Sequence, residues 1–289
     1  MGVGAHGTAA RGTPNTKVLR RVRAESAHRA TFDGRRGGRA ELNGANGANG
    51  ANGANGANGA NGAMCGRTAL TAKPEDLEAA FGLVEVPDFA PRYNLAPSQP
   101  TAVVRVPGKL EWLQWGLVPS WADDRKIAHK LALARSETAF ATPAFREAIR
   151  RRRCLVIVTS FFEWQRAGKA AAVPFLFERS DRKPFALAGV WERWISRDGE
   201  VVESCAILTQ KAAWPIDAVH DRMPVLMDRE AGARWIDAAT QEEEARALLA
   251  PRLPELRVVS VGLEVNDPRN DSPACHVPAL PVQAALFPA

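Results

Sequence analysis

The tetrapeptide Met64-Cys65-Gly66-Arg67 follows directly on an Asn-Gly-Ala repeat that runs from Asn43 to Ala63. An initiator methionine ahead of a residue as small as cysteine is normally removed, so translation from Met64 leaves Cys65 with a free α-amine. The resulting 1,2-aminothiol carries two nucleophiles on adjacent carbons, an amine with a reference pKa of about 8 and a thiol of about 8.5. With an aldehyde the amine forms a Schiff base, and the thiolate then closes onto the imine carbon to give a five-membered thiazolidine. An internal Met-Cys-Gly-Arg opening a strand is the structural alternative, and four residues leave it open.

Two further stretches could move protons. Phe161-Phe162-Glu163-Trp164 follows the apolar run Cys154–Ser160. If that strand continues, Phe161 and Glu163 share a face, and a carboxylate among aromatic rings is pushed toward its protonated form, as a general acid requires. Pairing with one of the many arginines is the plainer role. His220, in Val219-His220-Asp221-Arg222-Met223-Pro224, lies between a carboxylate, a guanidinium and a proline-led strand, a position suited to proton transfer. His129 and His276 have no comparable surroundings. The chain has eight tryptophans and one tyrosine, Tyr93. Most of these rings belong in a core, but Trp115 and Trp121 bracket a Gly/Pro-shaped loop where they could stack on splayed bases, with Arg67, Arg92, Arg135 or Arg222 holding phosphates.

The elements that must position these groups are mostly strands. Apolar and β-branched runs recur at Thr101–Val106, Glu111–Leu117, Cys154–Ser160, Pro174–Arg179, Phe185–Trp191, Val201–Leu208 and Leu256–Val261, with turns at Pro107-Gly108 and Asp198-Gly199. Helices are fewer: Pro74 with Glu75 and Asp76 opens one that Gly82 stops, Thr142-Pro143 opens a second, and Thr240 with Glu243 forms a capping box for a third. Strands that meet without regular helical crossovers indicate an α+β fold, a single domain on a curved, mainly antiparallel sheet or open barrel with a few peripheral helices. The run Arg150–Arg153 reads as cations complementing a helix C-terminus and staying solvated, with a phosphate patch as the alternative.

Composition sets the limits. The formal net charge is +6 in 289 residues, and the first 63 residues, with nine Lys/Arg against three Asp/Glu, account for all of it. Residues 1–63 read as a disordered low-complexity leader absent from the mature protein, because Asn-Gly-Ala repeats offer no side chain that builds a core. Residues 64–289 read as one domain, charge-balanced, so any phosphate binding must use local patches. With no membrane span, no secretory signal and four scattered cysteines, a soluble cytoplasmic protein without a disulfide framework or structural metal is expected.

Taken in order, Met64-Cys65-Gly66-Arg67, Arg92-Tyr93-Asn94-Leu95-Ala96-Pro97, Trp115-Gly116-Leu117-Val118-Pro119-Ser120-Trp121, Ala134-Arg135-Ser136-Glu137-Thr138, Phe161-Phe162-Glu163-Trp164 and His220-Asp221-Arg222-Met223-Pro224 resemble the SOS response-associated peptidase (SRAP) family of abasic-site processing proteins. Val265-Asn266 and Arg269-Asn270-Asp271 look like its closing segment. The resemblance implies that Cys65 captures the ring-opened aldehyde of an abasic site in single-stranded DNA. Glu163 would be the acid–base carboxylate for ring opening and His220 the proton shuttle, with DNA contacts at Arg67, Asn94, Trp115, Arg135 and Arg222. It implies no metal or organic cofactor, a lyase side reaction, a self-processing peptidase activity, and a nucleoid-associated monomer. Leu133 departs from the pattern, since the family usually carries Asn there. Two rivals stand beside this reading: an N-terminal-nucleophile amidohydrolase, which would use Cys65 against an amide, and a single-strand binder that has lost the chemistry. An aminothiol requires a free α-amine, so N-terminal sequencing of protein from its native host is expected to find Cys65, and a functional chain still bearing Met1 or Gly2 would refute this.

Overall fold

Cys154, Leu155, Val156, Ile157 and Val158 are consecutively apolar, the pattern of a strand covered on both faces. In the computed structural model, which describes residues 66–166 and 171–279, every one of them is buried. The chain divides into two units, Met1–Ala54 and Asn55–Ala289, and all described residues fall in the second. The expected leader and Cys65 lie outside the described residues.

Thirteen strands are described: β1 (Arg67–Leu70), β2 (Arg92–Leu95), β3 (Pro100–Val106), β4 (Lys109–Trp115), β5 (Leu133–Arg135), β6 (Arg153–Val158), β7 (Ser160–Gln165), β8 (Val173–Arg179), β9 (Phe185–Ile195), β10 (Val201–Lys211), β11 (Arg222–Pro224), β12 (Leu226–Met227) and β13 (Leu256–Ser260). Strands β10, β4, β3, β6 and β9 pair in that order, and β9 pairs with β10 again, closing a five-stranded barrel. Its β4–β10 contact is parallel and the other four are antiparallel. A second sheet, β13-β8-β7-β1-β2, is antiparallel throughout. The expected α+β architecture on a curved, mainly antiparallel sheet is thus present, closed rather than open.

The barrel wall is double-sided. Alternate residues, such as Leu155 and Ile157 against Cys154, Val156 and Val158, enter two different apolar clusters. One cluster is shared with helices α1 (Pro74–Phe81), α3 (Arg146–Arg151), α4 (Arg229–Ile236) and α5 (Glu242–Leu248), and the other with Phe161, Phe175 and Phe177 of the second sheet. The short α2 (Ser136–Ala139) follows β5 directly. Chain passage from barrel to second sheet takes one residue, Thr159, whose N–H donates to Ala69 O (2.8 Å) and whose hydroxyl accepts from the Thr71 N–H (3.0 Å). The end of β1 is therefore pinned to the corner between β6 and β7.

Helix signals hold in part. Helix α1 begins at Pro74 and ends on Gly82 in the left-handed conformation (φ 67°), whose N–H returns to Glu78 O. The expected Thr240 capping box is not formed: Gln241 is the N-cap of α5, and the Thr240 hydroxyl donates instead to Arg234 O (2.7 Å) near the end of α4. The arginine run is not merely solvated. Arg150, Arg151 and Arg152 pair with Glu242, Glu147 and Glu192, and Arg153 is buried, donating to Ile149 O, Arg150 O, Trp235 O, Asp237 O and Thr240 O around the ends of α3 and α4. Among the described residues no helix is long and apolar enough to cross a membrane.

Gly116 illustrates how the Trp115–Trp121 loop is made. Its φ is 127°, and a Cβ there would lie 2.8 Å from Ala128 O. Only glycine lets the loop lie this close to the short helical turn Arg125–Lys130. Gly116→Ala is expected to cost more than about 1 kcal/mol, read as a lower urea midpoint at unchanged m-value.

Candidate active site

Antiparallel pairing of β1 with β7 in the register Arg67↔Phe162, Thr68↔Phe161 and Ala69↔Ser160 sets the site. Because successive side chains alternate, Phe161 and Glu163 point to one face of β7, where Phe177 and Phe175 of β8 lie directly opposite them. The Phe161 and Phe177 rings stack with centroids 5.1 Å apart and planes within 8°. Glu163 is fully buried on this face, so the expected carboxylate among aromatic rings is present. Gly66, the residue after Cys65, is also buried.

On the opposite face the closing segment folds across the sheet. The Arg67 guanidinium donates to Asn94 Oδ1 (2.8 Å), Val265 O (2.6 Å) and Asn266 O (3.2 Å) and lies 5.9 Å from the centroid of the Trp164 ring. Burial lowers its pKa, opposed by Asp267 and Cys275. The Asn94 amide donates to Val265 O, Asp267 O and Asn270 O, and the Trp164 indole N–H donates to Asn266 Oδ1 (2.7 Å). Asp271 accepts from Arg92 and from the Tyr93 and Asn94 N–H groups. Asn94 is fully buried and clamps the closing segment, so it supports the site from beneath and offers no surface to DNA.

The proton-shuttle candidate approaches from another loop. Gln165, on the Glu163 face of β7, donates to Ala218 O (2.9 Å), two residues before His220. His220 Nδ1 accepts from the backbone N–H of Arg222 (3.0 Å) and lies 3.2 Å from Asp221 Oδ1. The Arg222 side chain forks onto Glu137 and also donates to Thr209 O (2.9 Å). That fork holds the Glu137 carboxyl below its ordinary range, against burial. Arg135, two residues earlier, is exposed.

The tryptophans separate. Trp115 is fully buried and donates its indole N–H to Ala132 O (2.9 Å), so its ring presents no face to a base. Trp121 is 60% exposed and borders a cleft of about 380 Å³ with Pro119, Pro143, Arg146 and Glu192. Leu133 is half-buried beside the cluster that contains Phe161 and Phe175, on a strand paired with Ile207 of β10. Sequence reasoning singled out neither Glu137, except within its motif, nor His276. The imidazole of His276 contacts Tyr93 O (3.0 Å) and packs edge-on against Phe162.

Comparisons with known proteins agree on one group. A family model described as SOS response associated peptidase (SRAP) matches residues 64–268. The chain is 34% identical over 218 residues to abasic site processing protein YoqW of Bacillus subtilis (strain 168), covering 73% of this chain and 97% of that one. It is 28% identical over 272 residues to abasic site processing protein HMCES of Mus musculus, covering 75% and 76%. A solved structure from Bacteroides thetaiotaomicron has the same fold, with a TM-score of 0.69 at 24% identity over 75% of this chain and 100% of its own. Another, from Bordetella bronchiseptica, gives 0.60 at 27% identity over 69% and 100%.

The closing segment is docked by groups that acid weakens. Burial lowers the pKa of His276, so the unfolded chain, with a histidine pKa of about 6.5, takes up a proton that the folded one resists. Its contribution to stability is complete above that value and is lost as pH falls toward the folded pKa. Burial works to raise Asp271, but the Arg92 guanidinium and the Tyr93 and Asn94 N–H groups outweigh it and depress its pKa, so a second loss follows in the carboxylate range. Hydrogen exchange at the β1 and β2 amides is expected to accelerate as pH falls from 7 toward about 5, after correction for the intrinsic rate, and His276→Phe is expected to remove the upper step.

Proposed function

This chain belongs to the SOS response-associated peptidase family and is an abasic-site processing protein; on that premise we propose that it captures the ring-opened aldehyde of abasic sites in single-stranded DNA through Cys65. The observation that carries the reading is the β1–β7 ladder. Continuing its register one residue past Arg67↔Phe162 sets Gly66 beside Glu163, so the neighbour of the nucleophile runs along a fully buried carboxylate.

The chemistry follows from that adjacency. Glu163 exchanges the proton that opens the deoxyribose ring and frees the C1′ aldehyde. The Cys65 amine adds to C1′, and loss of water from the carbinolamine gives the Schiff base. The thiolate then adds to the imine carbon while the imine nitrogen takes a proton, so aldehyde plus aminothiol gives thiazolidine plus one water. His220 handles protons at the carbinolamine and imine stages. The same Schiff base acidifies the C2′ hydrogen, and its loss with expulsion of the 3′ phosphate is the lyase side reaction. All of this needs a free α-amine, so residues ahead of Cys65 must be absent from the active protein, and their removal is the self-processing peptidase step. Residues 64–289 constitute the catalytic domain, acting as a monomer. Exposed Arg135 and the Trp121 cleft supply cationic and stacking contacts to the strand.

The test is covalent capture of an abasic single-stranded oligonucleotide, read as a denaturation-resistant adduct and by intact mass. Cys65→Ala is expected to abolish the adduct, whereas Cys154→Ala, Cys205→Ala and Cys275→Ala, at buried thiols, leave it. Glu163→Gln should slow capture by roughly 10²–10⁴ with little change in affinity. Adducts that survive Cys65→Ala without reductive trapping would overturn the assignment.

A further inference from the structure

Register puts Thr68 on the same face as Glu163. It lies directly opposite Phe161, and residues directly opposite share a face, so Thr68 stands one diagonal step from Glu163 on the neighbouring strand. Such a step separates Cα atoms by about 7–8 Å, a gap that a glutamate side chain turned toward β1 can close with a hydrogen bond. Thr68 is 1% exposed, yet among the described residues its Oγ1 has no hydrogen-bond partner. A hydroxyl in that position is destabilising, because it has given up water and gained nothing in return. Packing does not account for it. Valine has the same shape without the hydroxyl, and the residue opposite is Phe161, whose ring stacks on Phe177.

We propose that Thr68 is a positioning residue whose hydroxyl donates to the Glu163 carboxylate once that group has passed on its proton. The inference rests on the reading of Glu163 as the acid–base group, and deepens it by giving the charged form of that carboxylate a partner of its own. A hydroxyl that donates to a carboxylate favours its charged form. The other groups around Glu163 are of different kinds. Gly66 of β1 has no side chain, and Phe175 and Phe177 of β8 offer rings. The loop over this face brings apolar Ala212, Ile216 and Val219. Its titratable groups are Asp217, which is exposed, and His220, which is half-buried, while Arg166 just past the end of β7 is exposed. Ser260, opposite Phe175 on β13, is two strands from Glu163, so Thr68 is the hydroxyl on the adjacent strand.

The experiment pairs a titration with a rate. In ¹³C-glutamate-labelled protein the Glu163 carboxyl signal, identified by its loss in Glu163→Gln, is followed against pH. Thr68→Val is expected to move its midpoint to higher pH by about one unit, because the charged form loses its donor. Capture of an abasic single-stranded oligonucleotide near pH 7 should slow roughly tenfold, as for one lost hydrogen bond to a charged group, with the limb of its pH profile moving the same way. Affinity for an undamaged strand should not change. Thr68→Ser, which keeps the hydroxyl, should restore both titration and rate. Ser160→Ala removes another buried, unpartnered hydroxyl, but on the opposite face of β7, and should alter neither. A parent-like titration and rate in Thr68→Val would overturn the proposal. So would a Thr68→Ser protein that behaves like Thr68→Val, since the site would then be one of packing. A parent protein that forms no adduct, or a Glu163→Gln variant that captures at the parental rate, counts against the proposed function alone, because the titration still judges the bond between Thr68 and Glu163.

Discussion

Strand β1 is held between β7 and β2, and nearly everything at the site refers back to that ladder. Pairing with β7 sets Arg67, Thr68 and Ala69 opposite Phe162, Phe161 and Ser160, next to the aromatic face that buries Glu163, and the Thr159 corner pins the far end of β1 to the barrel. A strand end left as a free loop would sample many positions relative to the buried carboxylate. Here Arg67, Thr68 and Ala69 are fixed residue by residue against β7, the kind of positioning on which proximity effects depend.

The surroundings show how a charge-balanced domain can be rich in arginine and match much of that charge internally. Arg67 is occupied by backbone carbonyls, Arg92 by Asp271, Arg105 by Glu111 and Glu203, Arg152 by Glu192, and Arg222 by Glu137. The Arg105 guanidinium donates hydrogen bonds to Glu111 and Glu203, which raise its pKa, and it lies 4.4 Å from the Trp191 ring centroid. Guanidinium groups here are mainly structural forks and cation–π partners. Arg135, by contrast, stands exposed.

The seven apolar runs in the sequence all became strands because both faces of the barrel wall are covered, which writes burial into consecutive residues. Strands β1, β2 and β5 carry arginines and only three or four residues, and their burial is supplied by partners far along the chain, so no local pattern marks them. Helix α4 was hidden for a related reason: Ala231 and Trp235 are its main buried side chains, too sparse to show a period. In the site, the burial of Glu163 among aromatic rings was legible because Phe161 and Phe162 stand beside it in the sequence. Asn94 and Trp115 were not, since their types suit DNA contacts equally well, and only carbonyls from Val265 to Asn270 and from Ala132 consign them to the interior. Glu137 and Arg222 are 85 residues apart, and a pair of that kind has no local signature.

The closing segment also bears on when the site exists. Arg67 donates to Val265, 198 positions further along the chain, and Trp164 meets Asn266, 102 positions on. During vectorial synthesis the first strand of the domain emerges long before the residues that lock it. Strand β1 of a nascent chain is thus without its clamp until Val265 to Asp271 have been made. The ladder is laid down early and locked late, so a product truncated before Val265 retains β1 and β7 but lacks the carbonyls that hold Arg67 and Asn94.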